Sequence, residues 1–232
     1  MKFPQLYLLK AIIFILVVFP QIAKPEMIRA LDPLQVYPEG ILFDVIRNQE
    51  QVGYHQVDFS KEENGYLKVL SQLKITIKVL GINFYKYDYH SQAWWNNKHL
   101  IKLIATQNDD EVKSQVQIYS KNSILIINGP DGESRGPLSL YPSNHWHAGV
   151  LDENKVIDTL KGQISNVKIS KVGVENVLAE GRLINAIKYK YNGDVDAIAW
   201  YDITGRWIKL SFPVKDGSII EYICVKCGLG KK

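Results

Sequence analysis

From Leu67 to Val79 the odd positions are Leu67, Val69, Ser71, Leu73, Ile75, Ile77 and Val79, while the even ones include Lys68, Gln72, Lys74, Thr76 and Lys78. Successive side chains of a strand point to opposite faces, so a period of two describes a strand with one buried and one wet face. That is the habit of antiparallel sheets. Val112, Ser114, Val116 and Ile118 repeat the pattern against Lys113, Gln115 and Gln117, and Tyr85, Tyr87 and Tyr89 alternate with Lys86, Asp88 and His90. Asn64-Gly65, Asn96-Asn97, Lys121-Asn122, Asp131-Gly132, Thr204-Gly205 and Asp216-Gly217 separate the runs with residues that accept tight turns. No amphipathic helical stretch intervenes, which favours hairpins over βαβ crossovers. About a dozen strands follow from this punctuation, and a sheet of that size must curl, close or split into two layers. The expected fold is all-β: an antiparallel sandwich or a curved open barrel, preceded by a hydrophobic N-terminal helix.

That helix is a segment apart. Lys2 and Lys10 precede nine apolar residues, Ala11 to Phe19, and then Pro20. A basic start, a short apolar run and a breaker describe a secretory signal peptide over residues 1–30, and a spanning helix would want about 20 apolar residues. Ala23 and Ala30 are the candidate cleavage positions, with a retained inner-membrane anchor as the alternative. The protein is therefore expected to be exported, periplasmic or secreted, with membrane contact only through this segment if it is kept. The chain's net charge of +4 falls to +2 without residues 1–23, and to +1 without residues 1–30. A balance so slight gives no argument for nucleic acid. With 46% hydrophobic and 22% charged residues the chain is not disordered. With no linker or repeat inside it, residues 31–232 are expected to form one domain.

Residues 128–152 break the rhythm. Gly129-Pro-Asp-Gly-Glu-Ser-Arg-Gly-Pro137 reads as loop, and Tyr141-Pro-Ser-Asn-His-Trp-His-Ala-Gly149 carries neither period. Long irregular segments inside a domain are often functional.

Several stretches carry a resemblance: Phe43-Asp-Val with Val52-Gly-Tyr-His55, Val79-Leu-Gly-Ile-Asn-Phe-Tyr-Lys-Tyr87, Pro142-Ser-Asn-His-Trp146, Gly205-Arg-Trp207 and Asp216-Gly-Ser-Ile-Ile-Glu-Tyr222. In this order they resemble an uncharacterised family of exported proteins of Gram-negative bacteria, catalogued as a domain of unknown function. The resemblance implies a secreted or periplasmic β-rich body with no assigned reaction. The chain departs from the family pattern at His147, where asparagine is favoured, and in its Cys224/Cys227 pair.

Four groups of residues could carry chemistry. His145 and His147 would share a face of an extended segment, as two ligands of a zinc or copper site do, with His55, His90, His99 or an acid as further ligands. The structural reading makes this segment an anchor, with Trp146 in the core and His145 bonding backbone carbonyls. Cys224-x-x-Cys227 suits a local disulfide near the C-terminus in an oxidising compartment, with free thiols or half a metal or redox site as alternatives. Ser143 or Ser139 with His145 and Asp152 would be a hydrolase set, although no nucleophile elbow surrounds either serine. Trp94, Trp95, Trp146, Trp200 and Trp207, with Tyr85, Tyr87, Tyr89, Tyr189, Tyr191 and Tyr201, are enough to line a cavity or cover a groove, though aromatic residues also fill β cores.

The expected function is an uncharacterised, non-catalytic envelope protein that binds an apolar small molecule or a partner protein, with His145, Trp146, Trp94, Trp200, Trp207 and Tyr87 as contacts. The alternative is a metal-dependent or serine hydrolase centred on the His145–His147 loop. No cofactor is expected.

Overall fold

The structure, a computed structural model, describes residues 32–229. The expected signal peptide or helical anchor lies outside the described residues. One helical turn, α1 (Pro33–Val36), is capped by the Asp32 carboxylate, which accepts from the Leu34 backbone N–H. Among the described residues no helix is long and apolar enough to cross a membrane.

Fifteen strands follow: β1 (Ile41–Arg47), β2 (Glu50–Lys61), β3 (Leu67–Val79), β4 (Ile82–Asn96), β5 (His99–Asp109), β6 (Val112–Lys121), β7 (Ile124–Gly129), β8 (Gly132–Pro137), β9 (Tyr141–Pro142), β10 (Lys155–Asp158), β11 (Gln163–Ala179), β12 (Arg182–Gly193), β13 (Ala197–Tyr201), β14 (Trp207–Pro213) and β15 (Ile219–Lys226). They form one continuous sheet in the order β8-β7-β6-β5-β4-β3-β2-β1-β15-β14-β13-β12-β11-β10-β9. The first eight strands meander outward from β1. The chain then returns to the opposite end and meanders back, so that β15 pairs with β1 in the middle. Every neighbouring pair is antiparallel except β9 with β10. A single sheet replaces the sandwich alternative, and its curvature answers the open-barrel one.

The sheet rolls up like a scroll. Its β9–β10 end is tucked inside the curl of β4 to β8: Tyr89 on β4 donates to Thr159 Oγ1 (3.1 Å), and Gln107 on β5 donates to the Leu160 carbonyl (3.1 Å). At the closure Gly129 and Gly162 approach so tightly that a methyl group at Gly129 would lie 2.2 Å from the Lys161 carbonyl oxygen. Gly162 also has φ of +69°, a region costly for any residue with a Cβ. Inside the roll lie Phe43, Val45, Trp95, Leu103, Ile118, Ile127, Tyr201, Trp207 and Tyr222, all buried.

The strands beyond the dozen expected come largely from the stretch read as irregular. β8 and β9 form there without any alternation, because pairing to neighbours (Ile126 with Arg135, Val156 with Tyr141) supplies the ladder that local pattern lacks.

Candidate ligand-binding interior

The segment between β8 and β10 fills part of the roll. Trp146, Ala148, Val150 and Leu151 are buried on it, with a 3₁₀ turn at Ala148–Asp152. A non-repeating segment in a core leaves carbonyls that need donors, and tyrosines from elsewhere supply them. Tyr37, just after α1, donates its hydroxyl to the Trp146 carbonyl (3.2 Å) and accepts from the Trp207 backbone N–H (2.8 Å). Tyr201 donates to the His145 carbonyl (2.9 Å). Trp146 then stands edge-on to Phe59 (5.2 Å) and Trp95 (5.6 Å between centroids). The expected anchor therefore exists with its polar roles reversed: His145 is held through its own carbonyl, and among the described residues its ring makes no backbone hydrogen bond.

Two histidines flank Trp207 in the middle of the roll. His145 lies 5.4 Å from the Trp207 ring and 5.2 Å from Tyr191. His55, on β2, lies 5.6 Å from Trp207 and 5.3 Å from Tyr222. Enclosure holds both rings neutral: burial pushes His55 down to about 3, with His145 adding a smaller effect, and His145 down to about 4. Both keep some accessible surface despite this enclosure.

The core around this segment is unusual in its polar atoms. His55 Nδ1, Trp95 Nε1, Asn144 Oδ1, His145 Nδ1 and Trp146 Nε1 are buried without a hydrogen-bond partner. His55 Nε2 and Ser71 Oγ are 2.8 Å apart. Buried polar atoms are nearly always satisfied, and each orphan costs about 1–3 kcal/mol. The two neutral imidazoles lie among Tyr191, Trp207 and Tyr222, and the two indoles lie against Phe59, Tyr141 and each other; with the amide oxygen, such groups suit a ligand that is apolar in bulk and carries a few hydrogen-bonding groups.

Of the residues singled out in the sequence, His145, Trp146 and Trp207 come together here. Tyr87 lies on the inner side of β4, half-buried, with its hydroxyl on Gln107 Oε1 (3.0 Å). Trp94 and Trp200 point the other way. Lys68 and Lys102, the cross-strand partners of Trp94, cover its ring at 5.5 and 5.0 Å, and its indole N–H bonds Glu62. Trp200 repeats the arrangement with Lys188 and Lys209 at 5.2 and 5.1 Å and Glu175 on its N–H. These are lysine–indole ladders, and neither tryptophan faces the interior. Trp95 and Tyr201, named there among the aromatic residues, are both buried, and Trp95 shares the odd face of β4 with Tyr87, Tyr89 and Ala93. Tyr37 and Asn144 were not singled out.

His147 parts from His145. It caps the 3₁₀ turn, its Nδ1 accepting from the Gly149 N–H (3.0 Å), and its ring lies against Tyr141 (4.8 Å) and parallel to Trp95 (6.2 Å). Among the described residues the group of three donors that could hold a metal is Glu180, Cys224 and Cys227, and its two sulfurs are bonded to each other as a disulfide. That disulfide is buried, with Glu180 Oε1 accepting from the Cys227 and Leu229 N–H groups. Among the described residues no hydrogen bond joins Ser139 or Ser143 to His145. The Ser143 hydroxyl accepts from the Thr159 N–H (3.5 Å), and Asp152 ends the 3₁₀ turn.

A crystal structure of a beta-barrel-like protein of the domain of unknown function DUF1849, from Brucella abortus, is similar over 83% of this chain and 97% of that chain, with a TM-score of 0.57 and 7% identity. At that identity the likeness concerns the fold. No curated protein matches the chain. The family model described as Domain of unknown function (DUF6134) matches residues 43–225, nearly the whole sheet, and the chain belongs to that family.

Proposed function

We propose that this chain is a non-catalytic, exported envelope protein that holds a small, largely apolar ligand inside its rolled sheet, between Trp207 and the segment carrying Asn144, His145 and Trp146. The observation that carries this reading is the set of five partnerless polar atoms on His55, Trp95, Asn144, His145 and Trp146, buried among aromatic rings. A hydrophobic body would occupy the aromatic surround, and its polar groups would satisfy these atoms. Export rests on the basic-then-apolar layout of residues 1–30.

Native mass spectrometry of protein released from the periplasm by osmotic shock tests the proposal. The expected spectrum contains a non-covalent adduct that organic solvent extracts. The Asn144→Leu/His145→Phe variant should lose that adduct while keeping its circular-dichroism spectrum. Wild-type protein that carries no adduct and takes up no apolar fluorescent probe would refute the reading.

A further inference from the structure

The hairpin of β3 and β4 extends beyond the sheet that supports it. β2 pairs with β3 only as far as Gly53 with Ile75, and β5 pairs with β4 only as far as Tyr87 with Asp109. Residues 76–86 therefore form a two-stranded ribbon paired with itself. Its tip is apolar and bare: Leu80 is 98% exposed, Ile82 74% and Phe84 73%. Leu80 also has φ of +51°, a conformation that a turn ordinarily gives to asparagine or glycine. Neither solvation nor backbone preference favours a leucine there, and such cost is characteristic of functional sites.

The surroundings select the occupant. Three tip side chains offer at most a few hundred Å² of contact, well below the roughly 1,200 Å² of a stable protein interface. A second copy or a folded partner is poorly served by so small a tip, whereas a hydrocarbon layer needs no complementary shape. Lys78 and Lys86 are the charged residues of the ribbon, and Asp109, Asp110 and Glu111 stand on the neighbouring turn, where the Asp110 N–H bonds the Lys86 carbonyl (2.8 Å). Charges of both signs beside the tip do not call for an anionic surface. Tyr85, its hydroxyl on Asp109 (2.7 Å), lies just behind the aliphatic tip, at the depth where amphipathic rings meet lipid headgroups. We infer that the ribbon is a membrane-docking finger that inserts Leu80, Ile82 and Phe84 into a zwitterionic lipid surface. This inference is independent of the interior reading, because it uses none of the residues on which that reading rests.

The test labels the full chain with an environment-sensitive fluorophore at Asn83→Cys, leaving the Cys224–Cys227 disulfide intact, and adds phosphatidylcholine vesicles. A control label at Asn64→Cys sits at the opposite end of β3. A blue shift at position 83 and none at 64, insensitive to salt, is expected. In the Leu80→Ser/Ile82→Ser/Phe84→Ser variant the concentration of vesicles giving half the shift should rise at least about 100-fold, from the apolar area removed. No shift at 83, or equal shifts at both positions, would overturn the inference. So would a lipid-free shift that grows with protein concentration, which would mean that a second copy covers the tip.

Discussion

Replacing Tyr37 with phenylalanine tests how the inner segment is held. The hydroxyl is buried, donates to the Trp146 carbonyl at 3.2 Å and accepts from the Trp207 backbone N–H at 2.8 Å. The ring itself stacks on Phe59 at 5.4 Å, and phenylalanine keeps that contact, so no cavity opens. What is lost is polar. The Trp207 N–H becomes a buried orphan at about 1–3 kcal/mol, and the Trp146 carbonyl loses a bond worth about 1 kcal/mol. The expected cost is about 2–3 kcal/mol, a fall in Tm of roughly 5–10 °C for a domain of this size. Urea and thermal unfolding followed by near-ultraviolet circular dichroism would measure it, since Trp95, Trp146, Trp200 and Trp207 are all buried and report on the packing. Tyr37→Leu should cost more, because it also removes the stacking. A loss below about 0.5 kcal/mol in Tyr37→Phe would mean that the hydroxyl does not tie the segment to β14, and the reasoning would fail.

Three further outcomes are expected. Burial holds His55 near 3 and His145 and His147 near 4 in the folded protein, against about 6.5 unfolded. Between those values the unfolded chain binds protons that the folded one does not, so stability should be full above pH 6.5 and fall as the pH drops toward 4, by up to about 1.4 kcal/mol per pH unit for each histidine. Urea titrations from pH 7 to 4.5 should show a His145→Gln variant with a shallower slope, and an unchanged slope would contradict its neutral burial. Gly162→Ala should destabilise by roughly 2–4 kcal/mol, because its methyl meets Gly129 Cα at 2.5 Å and φ is +69°. Gly65→Ala, at φ of +84° with nothing within 4 Å, should cost only about 1 kcal/mol, and equal effects in thermal unfolding would argue against the closure. Reducing Cys224–Cys227 should cost about 2 kcal/mol or less, since the bond closes a very short loop. A much larger fall in Tm on adding a dithiol would show that the bond holds far more than its own loop.

The part of the fold legible in the sequence is the part that is local. Alternation in β3 and β6 and turn pairs such as Asn64-Gly65 mark strands because the period of two is a property of each strand alone. β8 and β9 are not legible in this way: Gly132-Glu-Ser-Arg-Gly-Pro137 has no period, and its strand exists through pairing with β7. The rolling of the sheet depends on contacts such as Gln107 to Leu160 and Gly129 against Gly162, which no local pattern announces. The site divides similarly. Trp146 and His145 stand out because the segment around them lacks a period, and Trp207 because it is aromatic. Trp94 and Trp200 are equally aromatic but lie on the lysine-bearing face, which the Lys68–Trp94–Lys102 register decides. His55 lies in the run Gly53-Tyr-His-Gln56, where no alternation marks it as buried, and its depth follows from the β1–β2 pairing that places it opposite Phe43.

The most direct measurement of the central claim is a high-resolution crystal structure of the protein purified without denaturation, with attention to the interior bordered by His55, Asn144, His145, Trp146 and Trp207. The account predicts continuous non-protein density there, apolar along the rings of Trp207 and Tyr191, with polar atoms within hydrogen-bond distance of the orphaned nitrogens and the Asn144 oxygen. An interior in which ordered water alone bridges those atoms would contradict it.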